Sequence, residues 1–252
     1  YELDLIFIGK WFGPEEVAIY AIGFTFLNFL RTLWNSVFSP FAQRFNHFVG
    51  LENKTELKKL IAIIIDYTFP LCVIVTLILV VVTEPLALFW VGNDYSESIV
   101  IMQTLIIGTG FGFVTNPASY YFTAKTKYRY IYMTAIVLPL IFVISVFLFT
   151  PELGLLGISI SKSLAMCAGF IISVIGLSDI YNPLKAIKKW IVSLLVYSGL
   201  IIYFLPIGIN MIFSTFEKSS FNLLVLILIM TLLIVVSYFL VLVSKKKQRN
   251  DL

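Results

Sequence analysis

"LIAIIIDYTFPLCVIVTLILVVV" (Leu60–Val82) decides how this chain is read. The run carries one charged side chain, Asp66, and matches the roughly 20 apolar residues that a helix needs to cross a bilayer. It is also representative. The 252 residues are 60% hydrophobic and 13% charged, with a mean hydropathy of +0.97. Soluble domains run at about 45–50% apolar and about 25% charged. Within lipid, every backbone polar group must be satisfied internally, which leaves helices or closed barrels. Runs of this length predict an all-α, polytopic transmembrane helix bundle.

Seven full spans and one partial N-terminal span are expected. They are Tyr1–Ile8 (the tail of a span), Glu16–Phe41, Leu60–Val82, Ser98–Phe122, Tyr130–Phe149, Leu153–Leu177, Trp190–Phe213 and Phe221–Val243. The chain opens at Tyr1 inside an apolar run, without Met or a basic leader. It reads as a fragment whose N-terminal half lies upstream. Residues 1–177 form the core helices of one lobe, and 178–252 add two further spans and a basic tail.

The Lys and Arg counts in the successive intervening segments alternate: 4, 0, 3, 0, 3, 1, 4. Basic residues accumulate on the cytoplasmic side of membrane proteins. The rich segments and the C-terminus are therefore expected in the cytoplasm of a multi-pass inner-membrane protein, and the Gly9–Glu15 turn outside. The clusters report topology and membrane lipid, not nucleic acid. Cys72 and Cys167 lie in apolar runs and read as free thiols. The one histidine, His47, excludes a multi-histidine metal site. No metal ligand set, cofactor motif or catalytic constellation is visible, and no loop is long enough for an extramembrane catalytic domain. Gly108, Gly110 and Gly112 lack a preceding strand, so packing or a hinge is the better reading than a nucleotide loop. Gln103 reads as an interhelical hydrogen-bonding group, and Asp66 as interfacial.

Two cations, Arg31 and Lys162, fall inside spans. At 100° per residue, Thr25, Asn28, Arg31, Thr32, Asn35 and Ser39 share an arc of roughly 120°, opposite Phe26, Leu30, Leu33 and Val37. A lone charge at the bilayer centre costs at least ~2.5–3.5 kcal/mol. The polar stripe is therefore expected to face a water-filled cavity, where a guanidinium binds an anion bidentately. The alternatives are a carboxylate on a neighbouring helix or snorkelling, the latter over roughly 16 Å of helix. Lys162 shares a narrow face with Ser159, Met166, Gly169 and Ser173, either as a cavity group or within tight helix packing. Asp4, at a similar depth from the outer surface, is a candidate partner for Lys162.

Three stretches carry a family resemblance. "DLIFIGKWFGPEEVAIYAIGFTF" (Asp4–Phe26) resembles the entry to the second half of polysaccharide-repeat-unit (Wzx-type) flippases, members of the multidrug/oligosaccharidyl-lipid/polysaccharide exporter superfamily. Asp4, Gly9, Gly13 and Tyr20 match that pattern. "YYFTAKTKYRY" (Tyr120–Tyr130) is similar to the basic turn after the family's tenth helix. "TPELGLLGISISKSL" (Thr150–Leu164) is similar to the external turn and helix start that follow.

The resemblance implies the C-terminal lobe, helices seven to fourteen, of a two-lobed alternating-access transporter that is not an enzyme. The implied substrates are polyprenyl-pyrophosphate-linked oligosaccharides. In that reading Arg31 holds phosphate charge, Asn28 and Asn35 bond sugar hydroxyls, Thr32 and Ser159 are further substrate-binding residues, and Lys162 is a second anionic contact. Asp4 is its charge partner or a coupling group. A lysine at position 162 is not a general family feature. Other readings are a cation-coupled drug antiporter of the same superfamily, a membrane-embedded enzyme acting on lipid-linked sugars, and a scaffold. The antiporter would want deep acids, the enzyme a large external loop, and the scaffold leaves the polar stripe unexplained.

Overall fold

A computed structural model describes residues 3–92 and 95–185, and scattered positions between 187 and 203. The expected spans Trp190–Phe213 and Phe221–Val243 lie wholly or mostly outside the described residues. Those residues form seven helices and no strand: α1 (Leu3–Trp11), α2 (Pro14–Gly50), α3 (Lys54–Val91), α4 (Glu97–Thr109), α5 (Gly112–Ala124), α6 (Tyr128–Leu153) and α7 (Leu155–Leu177). Helices α2, α3, α6 and α7 are long and apolar enough to cross a membrane, and α4 with α5 forms a fifth candidate span bent by 45°. The protein is membrane-embedded, with four to five such spans among the described residues.

Where the helices end differs from the expectation. The 37 residues of α2 reach roughly 55 Å at 1.5 Å per residue, well beyond a ~30 Å hydrocarbon core. Its last three turns take in Arg44 and His47. The segment expected as a loop over Gln43–Lys59 is a short turn, closed by the Asn53 side chain accepting a hydrogen bond from the Glu56 backbone N–H at 3.1 Å. Helix α3 similarly continues through Thr83 to Val91. Polar residues tolerate a helix in water as well as a loop, so a drop in hydropathy marks where the hydrocarbon ends rather than where the helix does.

The turns follow from local chemistry. Gly13, at φ 109, adopts a conformation that L side chains rarely take, and Pro14 opens α2 with its φ already helical. Gly154, at φ 57, reverses the chain between α6 and α7. At Gly157 a Cβ would lie 2.6 Å from the Phe149 carbonyl oxygen, so the two helices touch backbone to backbone.

Two apolar clusters hold the bundle. One joins α1, the first half of α2, α4, α6 and α7 through Tyr20, Leu27, Leu105, Phe142 and Ile158. The other joins the second half of α2, α3 and α5 through Phe38, Phe45, Ile65, Val114 and Tyr121. Lipid supplies no hydrophobic drive between helices, so close approach of small residues matters. Gly108 on α4 provides it: a Cβ there would sit 2.7 Å from Ser163 Oγ and 3.0 Å from Ser163 Cα on α7. Ser163 uses that approach to donate to the Thr104 carbonyl at 2.7 Å. Gln103 donates to the Val80 carbonyl at 3.1 Å, linking α4 to α3. Outward on α6, Tyr132, Ile136, Leu140, Ile144 and Leu148 form an exposed apolar stripe at four-residue spacing, suited to lipid.

Candidate functional site

The Gly13–Pro14 turn folds α1 back against α2 and sets Tyr20 opposite Asp4. The Tyr20 hydroxyl donates to Asp4 Oδ2 at 2.8 Å. The Lys162 ammonium on α7 donates to the same oxygen and completes a buried ion pair, with Asp4 1% and Lys162 6% exposed. The Phe24 ring lies under the lysine, 4.2 Å from Nζ to its centroid. A buried charge must be paired and hydrogen-bonded to be tolerated. A phenol, a carboxylate, an ammonium and an aromatic face together meet that requirement. Lys162 is accordingly an ion-paired group that also lines a small cavity. Asp4 Oδ1 is buried and accepts no hydrogen bond.

Arg31 sits one helical face away. A small cavity of about 60 Å³ is lined by Arg31, Asp4 and Lys162 together with apolar residues of α6 and α7. A larger one, about 280 Å³, lies on its other side. Its walls are Arg31, Trp34 and Asn35 on α2, Gly108, Thr109, Phe111 and Gly112 around the break between α4 and α5, and Thr115 and Asn116 on α5. Leu138, Met166 and Gly169 close it from α6 and α7. The 45° bend at Gly110–Phe111 swings α5 out of line with α4 and makes this room. Of the three glycines, Gly108 serves packing, Gly110 lies in the break and Gly112 opens α5.

Among the described residues Arg31 makes no hydrogen bond and no ion pair within 4.0 Å. It is half-buried. A guanidinium offers five donors and no acceptor. Asn116 donates through Nδ2 to the Gly112 carbonyl at 3.1 Å, which leaves its Oδ1 available to the cavity.

The polar stripe on α2 is divided. Asn35 reaches the larger cavity beside Arg31. Asn28, Thr32 and Ser39 are exposed, line neither cavity, and face away from the bundle. The Thr32 hydroxyl donates to the Asn28 carbonyl and the Ser36 hydroxyl to the Thr32 carbonyl, each at 2.9 Å. Arg31 lies instead within the buried line of Tyr20, Leu27, Trp34 and Phe38, so it points inward while its polar neighbours point out. Of the face expected to be dry, Leu30 is buried, and the side chains of Phe26, Leu33 and Val37 are not among those described. Ser159 is fully buried, and its hydroxyl donates to the Leu156 carbonyl at 2.8 Å. It is therefore held within α7 inside the bundle and is not brought to either cavity. Thr109, Thr115 and Asn116 were missed by the wheel argument. The signal was present in "FVTNPASYY" (Phe113–Tyr121), an amide and two hydroxyls beside a proline inside an apolar run.

The far end of the bundle repeats the same grouping twice. Asp179 accepts from Lys127 at 2.7 Å and from the Tyr121 hydroxyl at 3.2 Å. Asp66 accepts from the Tyr181 hydroxyl at 2.6 Å and pairs with Lys189 at 3.8 Å. Asp66 is thus a tertiary contact, not merely an interfacial charge. Burial, then the hydrogen bond and charge of Asp66, push the Tyr181 phenol above its ordinary range.

In comparisons with known proteins, no family model and no curated protein matches the chain.

Proposed function

We propose that the chain is the C-terminal lobe of a transporter that moves polyprenyl-pyrophosphate-linked oligosaccharides across the cytoplasmic membrane for surface polysaccharide synthesis. Seven full spans and one partial span complete it, with the basic segments and the C-terminus in the cytoplasm. A matching N-terminal half faces the cavity side, and the lobes rock against each other to give alternating access. Membrane lipid surrounds the outer helices, and the polyprenyl tail runs along the apolar flank.

The observation that carries this reading is Arg31: a guanidinium without a hydrogen bond or ion pair among the described residues, on the wall of a 280 Å³ cavity shared with Asn35 and Asn116. Arginine matches phosphate bidentately, and amides match sugar hydroxyls. Among the described residues, Arg31 and Lys162 bring two positive charges and Asp4 one negative, which suits an anion and disfavours a cationic drug. The test is complementation of a flippase-null strain by the full-length gene carrying Arg31→Ala or Arg31→Lys. Loss of surface glycan with Arg31→Ala and partial recovery with Arg31→Lys is expected. Normal glycan with both variants sinks the assignment.

A further inference from the structure

Helix α6 lies at the outside of the bundle. Its apolar span is 17% buried, against 38% or more in α2, α3 and α7. Aromatic side chains stand at both ends of its exposed stripe. At one end the Tyr128 and Tyr132 rings are 6.3 Å apart, and both are exposed. At the other, exposed Phe147 meets exposed Trp11 of α1 at 5.5 Å. Trp and Tyr collect where hydrocarbon meets water. Tyr128 and Phe147 are roughly 28 Å apart along a helix, close to the ~30 Å thickness of the hydrocarbon core. The two aromatic groups therefore mark the edges of the bilayer on this face.

The Tyr128–Tyr132 edge also carries charge. Lys125, Lys127 and Arg129 fall in this turn, and no Asp or Glu occurs between Glu97 and Glu152. Lys127 is engaged: it pairs with Asp179 at 2.7 Å and lies over the Tyr121 and Tyr130 rings at 4.8 and 5.7 Å. Among the described residues, the side chains of Lys125 and Arg129 make no ion pair and no hydrogen bond. Arg129 is exposed and Lys125 half-buried. The backbone beneath them is fastened. The Lys125 N–H donates to the Tyr121 carbonyl at 2.9 Å and the Lys127 N–H to the Phe122 carbonyl at 2.8 Å, with Thr126 at φ 52 between them. Two unpaired cations are thus held at one height beside the edge of the bilayer.

Helical geometry aligns one of them with the stripe. At 100° per residue Arg129 falls within about 60° of Tyr132, Ile136 and Leu140. It is about 180° from Leu138, which lines both cavities.

We propose that this edge is a binding site for one anionic phospholipid in the adjacent leaflet, the cytoplasmic one in the orientation proposed above. Arg129 holds the headgroup phosphate bidentately, and Lys125 supplies the second charge. The Tyr132 hydroxyl donates at the level of the glycerol esters. One acyl chain lies along Ile136 and Leu140.

Charge selects the lipid. Three cations against Asp179 leave this edge net positive among the described residues. A zwitterionic headgroup brings an ammonium that meets these cations, whereas a headgroup of net negative charge meets no such repulsion. Helix α6 itself stands between this site and both cavities. The occupant is therefore a resident lipid, not a substrate on its way to Arg31. It braces the α5–α6 turn from the lipid side, as Asp179 braces it from within.

The test is photo-crosslinking from Ile136→benzoylphenylalanine, roughly 10 Å below Arg129 along the helix. The full-length protein is reconstituted in liposomes of equal parts phosphatidylcholine and phosphatidylglycerol, and the lipid adducts are identified by mass spectrometry. Leu148→benzoylphenylalanine, on the same helix at the opposite edge, is the reference. Each cation near a membrane surface favours an anionic lipid about fivefold. The phosphatidylglycerol-to-phosphatidylcholine ratio at 136 is therefore expected to exceed that at 148 by about ten- to thirtyfold. Arg129→Gln should lower this excess about fivefold, and Arg129→Gln with Lys125→Gln should abolish it. Raising salt from about 0.1 M to about 1 M, which shortens the screening length from ~10 Å to ~3 Å, should narrow it. Equal ratios at 136 and 148 in the parent, or an excess that survives the double variant, overturn the site. A polyprenyl monophosphate added at an equal share tests the other source of the same chemistry. Adducts of it outnumbering those of phosphatidylglycerol at 136 overturn the assignment to a resident phospholipid.

Discussion

Lys162 on α7 and Asp4 on α1 meet as a buried ion pair across 158 residues of chain. Tyr20 is the third member, and the grouping of aspartate, tyrosine and lysine recurs at Asp179 with Tyr121 and Lys127 and at Asp66 with Tyr181 and Lys189. In each, one carboxylate draws together elements distant in sequence. Within a membrane, where apolar burial does not favour one helix neighbour over another, such groups set which helices are neighbours.

Breaking the innermost group from one side leaves an uncompensated buried charge. Lys162→Ala or Asp4→Ala is expected to cost about 3–5 kcal/mol. The double variant is expected to lose clearly less than the sum, because no lone charge remains. Thermal unfolding of the purified protein in detergent measures this. Additive losses would mean that the two side chains do not interact.

Gly108 tests the packing of α4 on α7. Gly108→Ala puts a methyl within 3.0 Å of Ser163 Cα, which side-chain rotation cannot relieve. A loss of about 1–3 kcal/mol is expected, with partial rescue by Ser163→Gly. At Gly50, where a Cβ meets nothing within 4 Å, Ala should be neutral or slightly stabilising. Equal unfolding temperatures for the two alanine variants would remove the close approach from the account.

The far end of the bundle carries a pH dependence. The Tyr181 phenol is raised by burial and by Asp66, so the folded state favours its protonated form more than the unfolded state does. Its contribution is complete below the unfolded tyrosine value of about 10. It is lost as pH rises from there toward the folded value. The parent should lose stability on going alkaline more steeply than Tyr181→Phe. Parallel pH–stability curves for the two proteins would contradict this.

Much of this architecture was legible in the chain, for reasons particular residues make plain. The long apolar runs could only be helices. Asp4 and Lys162 could be paired because both lie at similar depth from the same side. Arg31 was found because a charge in a span demands an explanation. Which way it points was not legible: on a helical wheel it borders the polar stripe, and only the positions of α1 and α7 show it turned inward with Trp34 while Asn28 and Thr32 turn out. Helix ends past Phe41 and Val82 were hidden, since hydropathy marks lipid and not backbone conformation. The α4–α5 cavity wall was hidden because Asn116 matters only once the chain bends at Gly110.

The outer cavity makes a separate prediction. Asn116→Asp changes little in shape but sets a carboxylate in the cavity that Arg31 lines. Ion pairing worth about 1.4 kcal/mol would compete with an anionic ligand about tenfold. Transport of a lipid-linked sugar should fall accordingly while Asn116→Ala loses less, with unfolding temperatures near that of the parent. A larger loss in Asn116→Ala would assign the residue to direct ligand hydrogen bonding and not to the field around Arg31.

The most direct test of the central claim is the rate at which the full-length protein, reconstituted in liposomes, moves a polyprenyl-diphosphate oligosaccharide between leaflets. Removing a charge-assisted hydrogen-bonding group costs about 1.5–3 kcal/mol, so Arg31→Ala at matched reconstitution should be at least about tenfold slower than the parent. Equal rates for the two proteins would contradict the account.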